Sequence, residues 1–95
     1  MSDYSRLSCF LLGARSLLIQ CGEKLIERGH LIKGVLSDDP EVVSWAERRE
    51  IPASSIEYAA QAVAGESFDY LFSIVNLQVT PDAVINAPAI AAINF

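Results

Sequence analysis

The apolar positions of this chain switch between two spacings, and the switches mark its elements. Leu7 to Leu12 is a nearly unbroken apolar run closed by Gly13, which predicts a buried strand followed by a sharp turn. From Ala14 to Arg28, Leu18, Cys21 and Leu25 recur at three- and four-residue steps, with Leu17 and Ile26 widening the stripe. That spacing predicts an amphipathic helix with Ser16 as its candidate N-cap. Glu23, Lys24, Glu27 and Arg28 make its solvated face, and Gly29 is placed to end it in a left-handed conformation. His30 to Leu36 is a second strand. Asp39-Pro40 then offers a cap and a first helical residue for a helix over Glu41 to Glu50, along which Val42, Trp45, Ala46 and Arg49 hold helical spacing. Ile51-Pro52-Ala53 predicts a short strand near an edge, because proline cannot donate to a ladder. An Ala-rich helix over Ile56 to Ala64 ends at Gly65, a strand runs from Asp69 to Val75, a short helix from Pro81 to Asn86, and a last strand from Ile90 to Phe95.

Strands and helices alternate throughout, which predicts an α/β fold. Strand, helix and strand within about 30 residues make a βαβ unit with parallel strands and a right-handed crossover. The expected architecture is a Rossmann-like open parallel sheet of order 3-2-1-4-5, with helices on both faces. Ligands of such sheets bind beyond the carboxyl ends of the strands. The last strand carries a lone amide, Asn94, and the sequence stops one residue later. Residues 1–95 therefore read as an incomplete domain, truncated after strand five.

Composition narrows the setting. Ninety-five residues suffice for one domain, and 52% hydrophobic with 20% charged residues suits a packed core. A surplus of apolar surface makes self-association an expectation. The net charge of −5 argues against nucleic acid or an anionic membrane as partner. No apolar run approaches the roughly 20 residues that span a bilayer. The N-terminus lacks the design of a signal peptide, so a cytoplasmic setting is expected. Two cysteines, Cys9 and Cys21, form neither a disulfide framework nor a metal motif and read as buried free thiols.

Several residues are candidates for chemistry. The turn Gly13-Ala14-Arg15-Ser16-Leu17-Leu18 stands where a dinucleotide fold places Gly-x-Gly-x-x-Gly, but its second and third glycines are absent. Gly13 then reads as a tight-turn residue, although the helix start beside Arg15 could attract an anion. Asp38 and Asp39 follow strand two, where a ribose-binding acid would sit; without those glycines a turn residue and an N-cap account for them better. His30 opens its strand at the amino end, opposite the ligand crevice. Asn94 must be hydrogen-bonded if buried, and a side-chain amide can also donate to an oxyanion forming at an acyl carbon. The loop Asn76-Leu77-Gln78-Val79-Thr80-Pro81 lies beyond a strand's carboxyl end and reads as a pocket wall.

Taken together, Gly13, Gly29-His30, Gly34-Val35-Leu36-Ser37, Trp45-Ala46, Ile51-Pro52, the run Phe68 to Val75 and Ala91-Ala92-Ile93-Asn94-Phe95 resemble the N-terminal half of formyltransferase catalytic domains. This is the family of methionyl-tRNA and glycinamide-ribonucleotide formyltransferases. The likeness is closer to formyltransferase-like domains at the start of nonribosomal peptide or polyketide synthases. The resemblance implies transfer of a formyl group from 10-formyltetrahydrofolate to an amine. It implies that Asn94 falls on the family's catalytic asparagine, with the partner histidine and aspartate beyond this chain. It also implies that Asn76, Leu77, Gln78 and Val79 match the segment whose backbone contacts the pterin. Asn76-Leu77 stand where the family's tRNA enzymes often have Tyr-Gly, and Ala14-Arg15 where they have Thr-Pro. The implied partners are folate, an amine acceptor and the rest of a longer synthase, without which the chain is inert. The alternatives are a non-catalytic Rossmann-like docking domain and, more weakly, nucleotide binding through Asp38.

Overall fold

The computed structural model describes residues 6–74 and 82–94, the last of these by its backbone alone. In chain order the elements are β1 (Ser8–Gly13), α1 (Arg15–Glu27), β2 (Leu31–Leu36), α2 (Pro40–Arg48) and β3 (Ala53–Ser54). A 3-10 turn (Ile56–Tyr58) then leads into α3 (Ala59–Val63), β4 (Tyr70–Ile74), α4 (Asp82–Ile85) and β5 (Ala91–Asn94). All five strands are parallel, in the order β3-β2-β1-β4-β5. This is the α/β Rossmann-like architecture that the alternation predicts, with β3 at one edge and β5 at the other.

The pleat of β1 and β4 divides the core in two. Cys9, Leu11 and Ile74 face α1 and α2, where they pack with Leu18, Val35, Val42, Trp45 and Ala46. Phe10, Leu12 and Leu71 face α3 and α4, where they pack with Leu36, Ala59, Val63, Phe68 and Val84. The β1–β2 pairing shifts between Cys9 and Phe10, so Ile32 opposes Cys9 while Gly34 opposes Phe10. Lys33, left between them, donates to the Ser67 carbonyl at 2.9 Å and pairs with Glu66 at 3.1 Å.

The buried line of α1 differs from the predicted stripe. Leu18 and Gly22 are its buried residues, whereas Cys21 and Leu25 are half-buried and Leu17 is 47% exposed. The cause lies in α2: the Trp45 ring lies against the α1 backbone at Gly22, where a β-carbon would come within 2.3 Å of Cη2. A tryptophan far along the chain thereby turns the helix. The helix ends as expected, with Gly29 at φ 85 and the His30 and Gly29 N–H groups donating to the Leu25 and Ile26 carbonyls. Its start differs. Ala14 occupies the N-cap position without a side-chain cap, and Ser16 is an exposed residue inside the helix.

Candidate functional site

In an open parallel sheet whose order reverses at β1 and β4, the ligand position is the carboxyl edge of those strands. Backbone closes that edge tightly here. Gly13 has φ 143, and a β-carbon there would lie 1.7 Å from the Ile74 carbonyl oxygen. The same oxygen accepts from the Ala14 N–H at 3.2 Å, which joins the start of α1 to the end of β4. Only glycine allows two backbones to meet this closely with that φ.

The acids after β2 complete the edge. Asp39 caps its own helix, accepting from the Glu41 N–H at 3.0 Å, with Pro40 in the first turn of α2. Its second carboxylate oxygen accepts from the Arg15 N–H at 2.8 Å. One side chain therefore serves the N-termini of two helices, and a fixed negative charge already sits at the start of α1. That corrects the expectation of an anion site there: the positive end of the α1 dipole is met from within the chain. Arg15 itself has φ 76, a backbone conformation uncommon outside glycine. Ser37 is buried and its hydroxyl oxygen accepts from the Asp39 N–H at 3.1 Å, which fixes the turn. Asp38, exposed, accepts from the Ser55 hydroxyl at 2.5 Å.

Asn94 closes β5, and its backbone lies in register with Ser73 of β4. Asn76, Leu77, Gln78 and Val79 lie outside the described residues. His30 is at the amino edge, as its place in the sequence indicates, and its Nδ1 accepts from the Leu7 N–H at 3.1 Å. On that edge Asp69 accepts from the Ser8 N–H at 2.9 Å and returns its own N–H to the Ser8 carbonyl. This clamp between β1 and β4, like the Asp39 bridge, joins residues too distant in sequence for any local pattern to reveal.

An open groove of about 960 Å³ runs along α1 on the α1–α2 face of the sheet, from Leu17 and Ile74 to Arg28 and His30. Leu17, Cys21, Leu25, Ile26, Phe72 and Ile74 supply its apolar lining. None of Ser37, Asp38, Asp39 or Ser73 borders it. At its rim the Glu23 carboxylate accepts from Trp45 Nε1 at 2.6 Å and from Arg49 Nε at 2.9 Å, and pairs with Arg49 Nη2. The Trp45 hydrogen bond first, then that of Arg49, holds the Glu23 carboxyl below its ordinary value of 4.5. Cys9 is free and buried, and burial, aided by Asp69, pushes its thiol up to about 12. Cys21 is free but only half-buried, which corrects the expectation of two buried thiols. Among the described residues no three His, Cys, Asp or Glu side chains gather as a metal site would require. None of the described helices is long and apolar enough to cross a membrane.

No family model matches this chain, and no curated protein matches it.

Proposed function

We propose that this chain is the N-terminal part of a formyltransferase-type domain from a nonribosomal peptide synthetase-type multidomain enzyme, which carries a formyl group from 10-formyltetrahydrofolate to an amine. The observation that carries this reading is the place of Asn94, at the carboxyl end of β5 and in register with Ser73 on β4. The sequence resemblance supplies the chemistry. The amine nitrogen attacks the formyl carbon, and the Asn94 amide donates to the oxygen as that carbon becomes tetrahedral. The carbon–nitrogen bond to the folate then breaks; the departing nitrogen takes up a proton and the amine gives one up. Backbone groups of Asn76, Leu77, Gln78 and Val79 hold the pterin. With Asp39 at the start of α1, a ligand anchored there by phosphate is disfavoured, which supports a folate over a dinucleotide. His30 sits on the opposite edge and is no partner for Asn94.

The test is a formyl-transfer assay on the protein from the complete reading frame, with 10-formyltetrahydrofolate and a panel of amines. Transfer is expected, with kcat reduced about 10²- to 10³-fold in Asn94→Ala, the usual effect of removing one oxyanion donor. Absence of transfer, or an Asn94→Ala rate equal to wild type, overturns the proposal.

A second reading, a non-catalytic Rossmann-like docking domain, has its own support in exposed apolar surface. Ile90 is 57% exposed and Ile93 36%, at the β5 edge, and Tyr70 and Phe72 are half-buried on the α1 face. Light scattering across a concentration series distinguishes self-association from a monomer, and Ile93→Lys is expected to abolish any dimer found.

A further inference from the structure

We propose that the groove along α1 binds one unbranched long-chain carboxylate, with its acyl tail on the apolar lining and its head at Arg28 and His30; this is independent of the reading of Asn94. The groove holds about 960 Å³, within the size of pockets that take one small ligand. Leu17, Cys21 and Leu25 of α1 face Phe72 and Ile74 of β4 along it. From Leu17 to Arg28 the helix rises about 16 Å, the reach of an extended chain of about 13 bonds. Leu17 is 47% exposed, and Cys21 and Leu25 are half-buried, so a tail laid there removes apolar surface from water.

The charges at the rim select the head group. Glu23, Lys24, Glu27, Arg28 and Arg49 border the groove. Glu23 is paired with Arg49, and Lys24 with Glu27 at 3.5 Å. Arg28 has no ion pair among the described residues, which leaves one positive charge over at the groove of a chain whose net charge is −5. His30 lines the same end. Its Nδ1 accepts from the Leu7 N–H, so the neutral ring carries its proton on Nε2, a second donor. The Lys24, Leu25 and Ile26 carbonyls at this end of α1 already accept from the Arg28, His30 and Gly29 N–H groups, which blunts the negative end of the helix dipole. One guanidinium and one imidazole N–H match the single charge and two oxygens of a carboxylate.

The experiment measures displacement of 11-(dansylamino)undecanoate from the 95-residue chain by straight-chain carboxylates, octanoate to hexadecanoate, below their micelle concentrations. One ligand per chain is expected, with affinity rising about two- to fourfold per added CH2 and levelling off near tetradecanoate, where the tail outgrows the groove. Arg28→Gln is expected to weaken dodecanoate about tenfold and to leave dodecanol unchanged. Leu17→Glu, at an exposed position that the core does not need, is expected to weaken both. Absence of binding, equal affinity for dodecyltrimethylammonium and dodecanoate, or a dodecanoate affinity untouched by Arg28→Gln overturns the proposal. Light scattering supplies one more outcome: a dimer that admits no carboxylate assigns this face to a second copy and overturns it too.

Discussion

Replacing Gly22 by alanine sets two physical effects against each other, and the packing of α1 on α2 decides the sign. In an isolated helix the change is favourable by about 1 kcal/mol, because glycine loses more backbone freedom on ordering. Here the new β-carbon would stand 2.3 Å from Trp45 Cη2 and 2.8 Å from Cζ2, far inside normal carbon–carbon contact. A free side chain could withdraw, but this ring is 3% exposed and its Nε1 is tied to Glu23 at 2.6 Å. Overpacking a filled core costs about 1–3 kcal/mol, and an overlap this deep belongs at the upper end. The net expectation is a loss of about 2 kcal/mol, or a fall in Tm of about 8–16 °C for a domain of this size. Trp45 is the only tryptophan, so its fluorescence during urea unfolding reports the interface directly. In a Trp45→Leu background the same alanine should cost at least about 1 kcal/mol less, since the two side chains are then uncoupled. A Gly22→Ala protein more stable than wild type would show that propensity outweighs packing here and would refute the close approach.

Two further outcomes are expected. Asp39→Ala removes acceptors from two helix starts and should cost about 2 kcal/mol in urea unfolding, whereas Asp39→Asn, with one carbonyl oxygen, should lose about half of that. Because Glu23 is held below its ordinary value of 4.5 in the folded protein, its contribution is complete above that value and is lost as pH falls through the lowered one. Acid should therefore loosen the α1–α2 contact and shift Trp45 emission to the red, and Glu23→Gln should remove this pH dependence.

Much of the architecture is written locally. Apolar runs such as Leu7 to Leu12 and Asp69 to Val75, the three- and four-residue spacing of α1, Asp39-Pro40 before α2 and Gly29 after α1 are each a signal within a few residues. Their alternation is enough to yield a parallel sheet with right-handed crossovers, whereas the step from β3 at one edge to β4 beside β1 rests on pairing between distant stretches. Places at an edge follow too: His30 at the amino ends of the strands and Asn94 at a carboxyl end are set by where each stands in its strand.

Only tertiary structure could assign what depends on partners far along the chain. Asp39 satisfies an N–H of α1 24 residues earlier, so Ser16, a reasonable cap by composition, is left inside the helix. Trp45 leans on Gly22 and draws the buried line of α1 away from Cys21 and Leu25, which leaves that side open as a groove. Periodicity reports which face of a helix is apolar; how far that face is covered depends on what the rest of the chain brings against it.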